Sequence, residues 1–291
     1  MYRKIMGFLE AWKENEHRKP LILQGARQVG KTYSILEFGR THYENVAYFN
    51  FETNPKLNET FEENISPDYL IPILSHIAGQ TIVKEKTLIV FDEIQLCERA
   101  LTSLKYFCED APDYHIIVAG SLLGVAVNRA KFSFPVGKVD MKTLYPMDME
   151  EFMIAMGESD LAEQIKKCFE TNQPMPAALH DVAMQLYRQY LVVGGMPECV
   201  MQFVQTRDYI LIRHTQDTIL ASYLNDMSKY NNLNEIKKTR LAYDNITVQL
   251  SKKNTRFQYK LIKKGGRASE FENAIEWLCL SGIVSQVYRV E

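Results

Sequence analysis

The residues with the most specific chemistry are GARQVGKT, at positions 25–32. Gly25, four residues and then Gly30-Lys31-Thr32 is the spacing of a phosphate-binding loop. A polyphosphate is a dense anion. A loop of backbone N–H groups running into a helix N-terminus offers it donors and a positive dipole together. Glycine at 25 and 30 lets the backbone come close where a Cβ would intrude. Ala26, Arg27, Gln28 and Val29 complete the loop, and Lys31 would reach the β- and γ-phosphates. The Thr32 hydroxyl would ligate magnesium, with Tyr33 just behind it at the start of the helix. The flanks agree: LILQ at 21–24 is an apolar run suited to a buried strand, and 32–38 contains no helix breaker.

LIVFDEIQ, at 88–95, says what could be done with the nucleotide. Four apolar residues would carry the chain through a sheet and release Asp92 and Glu93 at the strand's C-terminal end, where ligands of such sheets sit. Asp92 suits the magnesium shell, and Glu93 suits a water attacking the terminal phosphate. An N-K-x-D guanine-reading sequence is absent, so ATP is the expected nucleotide. Two further positions read two ways. Ser121, after the strand candidate ending at Ala119-Gly120, is either a sensor of the γ-phosphate or a serine in a turn. Pro197, after Gly194-Gly195, either lies against an adenine ring or only opens a helix.

These residues need a scaffold, and the pattern of elements supplies one. Strand candidates at 21–24, 46–51, 87–91, 115–119 and 139–144 alternate with helix-length segments, which predicts β-α-β units and a mostly parallel five-stranded sheet. The fold class is therefore α/β, a P-loop core over residues 1–150 that includes an N-terminal helix at 2–14. Residues 151–230 read as helices, a candidate lid. Residues 231–291 read as a winged-helix-like domain: a helix at 236–250, a second with Ser269 and Glu272 at capping-box spacing, and a strand at 283–290. In the second helix Phe271, Ala274, Ile275, Leu278 and Cys279 share a stripe.

Composition excludes several classes. The chain has 291 residues, 46% of them apolar, and a net charge of −2, so nothing in the overall balance points to nucleic acid or a membrane surface. Five scattered cysteines without a C-x-x-C pair argue against structural zinc and for a reducing compartment. No segment reads as a signal peptide or a membrane span, so the expected location is the cytoplasm.

GARQVGKT, DEIQ, the Gly-Ser at 120–121, LYPMDMEEF at 144–152 and GGMPE at 194–198 occur in that order. Together they resemble the predicted prokaryotic ATPases of the AAA+ superfamily, relatives of the STAND and archaeal-type ATPases. The resemblance implies an additional-strand P-loop core, a helical lid and a winged helix. It also implies Lys31, Thr32, Asp92 and Glu93 in the roles above, with Pro197 near the base. Relatives often carry glycine-arginine where this chain has Gly137-Lys138, which leaves Lys138 or Arg129 as weak substitutes for an arginine finger. Relatives also usually continue into a nuclease-like domain, whereas this chain ends at Glu291.

The expected function is a magnesium-dependent, slowly hydrolysing ATP switch. The alternatives are a DNA-handling ATPase and a nucleotide-binding adaptor without turnover. A protein partner or self-association would receive the output of a switch. The run KKNTRFQYKLIKKGGR at 252–267 holds seven basic residues and no acidic one, which predicts at most weak, sequence-independent nucleic-acid binding.

Overall fold

A computed structural model describes residues 1–120, 134–229, 233–253 and 256–287. It divides into two compact units, Met1–Thr215 and Gln216–Glu291. Ser121 and Arg129 lie outside the described residues.

The first unit is built on five strands, β1 (Leu21–Gln24), β2 (Asn45–Asn50), β3 (Thr87–Asp92), β4 (His115–Gly120) and β5 (Asp140–Thr143). They form one sheet in the order β2-β3-β4-β1-β5, every neighbouring pair parallel. The five-stranded parallel α/β core expected from the alternation is what forms. β4 lies between β1 and β3, which is the additional strand that the resemblance implied.

Full coverage of the sheet explains the apolar runs. All of β3 and β4 is buried, as a parallel sheet with helices on both faces requires. On one face Ile22, Phe49, Phe91 and Val118 pack with Leu57 and Phe61 of α3 (Lys56–Glu63), Leu70 and Leu74 of α4 (Pro67–Ala78), and Leu101 and Leu104 of α5 (Glu98–Asp110). The opposite side chains of the same strands, Leu21, Leu23, Leu88, Val90 and Ile117, are also fully buried. On the remaining helices of the core, Leu9 of α1 (Ile5–Glu14) and Ile35 and Phe38 of α2 (Lys31–His42) are buried as well.

After β5 the chain is helical. The helices are α6 (Met149–Ala155), α7 (Ser159–Thr171), α8 (Ala177–Val193), α9 (Pro197–Thr206) and α10 (Tyr209–Lys229). Asp148 caps α6 in a reciprocal box: its carboxylate accepts from Glu151 N at 2.9 Å, and the Glu151 carboxylate accepts from Asp148 N at 3.3 Å.

The second unit contains the end of α10, then α11 (Leu233–Leu250) and α12 (Ala268–Leu280). Phe271, Ala274, Ile275 and Leu278 are buried, as the stripe predicted, and Cys279 is half-buried. Two details differ from expectation. Glu270 N donates to Arg267 O at 3.1 Å, so the first turn of α12 opens at Arg267. Ser269 is already inside the helix and makes no capping box with Glu272. The strand expected at 283–290 is absent over 283–287, where Ile283 N and Val284 N both fold back onto Leu278 O instead of pairing with a neighbour. The rest of that segment lies outside the described residues.

Candidate functional site

β1 ends at Gln24 and α2 begins at Lys31, so residues 25–30 form the turn between them at the C-terminal end of the sheet. The turn is held against β5, where Leu144 N donates to Gln24 O at 2.8 Å. A Cβ on Gly25 would sit 2.1 Å from Leu144 O, and Gly25 has φ +147°, so only glycine fits. Gln28 takes a left-handed φ of 65° without being glycine. Ala26 and Val29 are buried, Gly25, Arg27 and Gly30 are half-buried, and Gln28 and Tyr33 are exposed.

Lys31 is 8% exposed, and its ammonium donates to Gly25 O and Ala26 O, each at 2.8 Å. The charge therefore sits within the loop that phosphate would enter. Burial pushes its pKa down to about 8; Glu93 and Asp92 pull upward against this, and Arg27 adds to the lowering.

β3 delivers Asp92 beside the loop. Thr32 Oγ1 donates to Asp92 Oδ2 at 2.9 Å, across 60 residues of sequence. Asp92 Oδ1 accepts from Glu93 N at 3.0 Å. Glu93 turns the chain with φ 52°, a conformation a side chain rarely adopts, and Ile94 behind it is fully buried. The Glu93 carboxylate accepts from Gln95 Nε2. A hydroxyl and a carboxylate 2.9 Å apart are hard oxygen donors of the kind magnesium takes, with phosphates and water completing its shell. Such a site needs no all-protein cage, and among the described residues no group of three or more His, Cys, Asp or Glu could hold a metal.

The other end of the loop meets residues that sequence reasoning missed. Arg3 is 4% exposed, and its guanidinium donates to Val29 O at 2.9 Å, Tyr145 O at 2.7 Å and Glu151 Oε1 at 3.2 Å. Lys4 N donates to the same Glu151 oxygen at 2.7 Å. The Asp148/Glu151 spacing was a legible signal for one partner. Nothing in the sequence marks Arg3, one of two adjacent basic residues ahead of a helix.

Pro197 comes to this same place. Measured from the position a Cβ would take on Gly30, Arg3 Nη1 is 3.5 Å away and Pro197 Cγ 3.7 Å. The segment before Pro197 is locked onto the chain leaving β5. Met147 N donates to Gly195 O at 2.7 Å, and Tyr190 Oη donates to Met147 O at 2.8 Å. A Cβ on Gly195 would fall 2.1 Å from Met147 O. Lys138, by contrast, precedes β5 at the opposite end of the sheet from the loop, and its ammonium pairs with Glu109 at 2.9 Å.

Residues 17–153 match the family model of an AAA domain (AAA_14), and that match spans the loop, Asp92 and Glu93. The match agrees with the resemblance carried by the motifs. Residues 184–291 match a domain of unknown function (DUF8612). Among solved structures, the chain resembles the Walker-type ATPase paby2304 of Pyrococcus abyssi. That likeness has 14% identity and a TM-score of 0.53, over 96% of this chain and 89% of that one, and it is a likeness of fold. A second similar structure is the ORC2 protein of Aeropyrum pernix in its ADPNP-ADP complexes, with 12% identity and a TM-score of 0.47, over 98% and 87%. No curated protein matches the sequence.

Proposed function

We propose that this chain is a magnesium-dependent ATPase that turns over slowly and uses its nucleotide as a conformational switch. The observation that carries the reading is the convergence of Lys31, Thr32, Asp92 and Glu93 at one end of the sheet, with Arg3 on Val29 and Pro197 near Gly30 of the same loop.

The chemistry follows from these positions. Lys31 exchanges its loop carbonyls for the β- and γ-phosphate oxygens of ATP, a stronger, charge-assisted pairing. Thr32 and Asp92 would hold magnesium, which when bound neutralises charge on the phosphate oxygens. Glu93 leaves the strand end as a neighbour of Asp92 with a diverging side chain, and orients the attacking water by accepting its proton. Catalysis on this account is positioning and electrostatic stabilisation.

Residues 151–230 act as the lid in this proposal, and Pro197 is the element of the lid that walls the base. Residues 231–291 are read as the winged-helix-like part that transmits the state to a protein partner or a second copy. No helix of the described residues is long and apolar enough to cross a membrane, and we place the protein in the cytoplasm. Nucleic acid would be met weakly and without sequence preference. Lys252, Lys253, Lys260, Lys264 and Arg267 are exposed, but α12 presents Glu272 and Glu276 where a groove-reading helix would need neutral or basic residues.

Single-turnover hydrolysis by the wild type and Glu93→Gln tests the proposal. The substitution keeps size and removes the negative charge that polarises the water. Turnover should fall by roughly a hundredfold or more while ATP affinity stays within a few-fold. A wild type without turnover, matched by the variant, would favour the adaptor reading instead.

A further inference from the structure

We propose that Tyr48 belongs to the magnesium end of the site, holding the Asp92 carboxylate when no metal is there and yielding it when one binds. The inference rests on the nucleotide-site reading above and deepens it.

Asp92 is 5% exposed and carries its charge among three donors. Oδ2 accepts from Thr32 Oγ1 at 2.9 Å and from Tyr48 Oη at 2.7 Å, and Oδ1 accepts from Glu93 N at 3.0 Å. A carboxylate oxygen has two acceptor sites, so Oδ2 is full. Tyr48 is on β2, where it faces Val90 of β3, and Asn50 two residues on faces Asp92 itself. Residues 48 and 50 therefore share a face, and the long phenol reaches along it to the strand end.

The phenol is aimed. Asn50 Nδ2 donates to Tyr48 Oη at 3.2 Å, which leaves the tyrosine proton for Asp92. Asn50 is itself fixed, because its Oδ1 accepts from Glu52 N at 2.8 Å and Thr53 N at 3.0 Å.

The three donors differ in what a metal asks of them. The Glu93 amide is bound into the turn. Thr32 can keep donating its proton while its oxygen turns to a cation. Tyr48 contributes only a proton to an oxygen that the water shell of magnesium would need. It is also 38% exposed, so its hydroxyl finds water when it leaves. Tyr48 is thus the donor that gives way, and its hydrogen bond is a competitor the metal must displace. Nucleotide arriving without metal leaves the bond in place.

The test is the affinity of ADP by calorimetry, with magnesium and with EDTA, for the wild type and Tyr48→Phe. The ratio of the two affinities should rise roughly tenfold in the variant, the scale of one hydrogen bond to a charged acceptor, while the EDTA value stays unchanged. Manganese titrated into the protein–ADP complex and followed by electron paramagnetic resonance should bind correspondingly tighter. A thermal melt like that of the wild type establishes that the variant is folded. An unchanged or smaller ratio in the variant, beside a wild type that does show magnesium-dependent binding, overturns the role of Tyr48 alone. A wild type that binds no nucleotide overturns the site reading beneath it.

Discussion

Arg3 Nη1 donates to the carbonyl of Val29 at 2.9 Å, so the third residue of the chain grips the turn between β1 and α2. The same guanidinium pairs with Glu151, both side chains being about 5% exposed (5% and 6%). One buried cation therefore ties the start of the chain, the loop, the exit from β5 and the start of α6 together.

Breaking this pair on one side should cost more than removing it. Arg3→Met leaves the Glu151 carboxylate buried with only backbone donors, and should destabilise by about 3–5 kcal/mol in urea unfolding. The double variant Arg3→Met/Glu151→Leu should recover part of that loss. A double variant worse than the sum of the singles would show that the ion pair is not the main role of these residues.

Pro197 should matter to the base rather than to the phosphates. Its ring lies near Gly30, beside the Arg3 guanidinium. Pro197→Gly should weaken ATP by about five- to tenfold, the order of a lost apolar contact, and leave inorganic triphosphate nearly unaffected in competition calorimetry. Equal losses for both ligands would reduce Pro197 to a helix-opening residue.

The core also carries an acid-sensitive group. His115 opens β4 and is 4% exposed; its Nδ1 pairs with Tyr43 Oη at 2.7 Å, and its Nε2 is buried without a partner among the described residues. Burial pushes its pKa down to about 4 from 6.5, and the charges of Arg18 and Lys13 push the same way against Asp113. Between those values the unfolded chain takes up a proton that the folded one refuses. Stability should therefore decline as pH falls from about 6.5 to about 4, by up to about 3 kcal/mol from this group. In urea unfolding across that range, His115→Gln should lose less stability with acid than the wild type. Parallel pH curves would place the acid sensitivity elsewhere.

Much of this was readable in the residues, for identifiable reasons. The turn between β1 and α2 and the acidic end of β3 were legible because glycines and carboxylates at strand ends stand out in the residue pattern. The sheet was legible because burial on both faces leaves uninterrupted apolar strands such as 87–91 and 115–119. The Arg3 anchor was not, because its partners are backbone carbonyls at Val29 and Tyr145, and a carbonyl leaves no mark on residue type. Tyr48 was hidden for a related reason: only the register of β2 against β3 puts its hydroxyl on Asp92. At α12 the Ser269/Glu272 spacing misled, since a capping box needs its serine outside the helix and the turn had already begun at Arg267.

The central claim is that residues 25–32 with Asp92 bind the phosphates of ATP, and calorimetric titration of ATP with magnesium into the wild type and Lys31→Ala tests it most directly. Lys31 donates to loop carbonyls that phosphate oxygens would replace. Its removal deletes the buried ammonium inside the loop while leaving the strand and helix on either side intact. The account predicts saturable binding by the wild type and a loss of about a hundredfold or more in the variant, with melting temperatures that stay close. Equal affinities in the two proteins would contradict it.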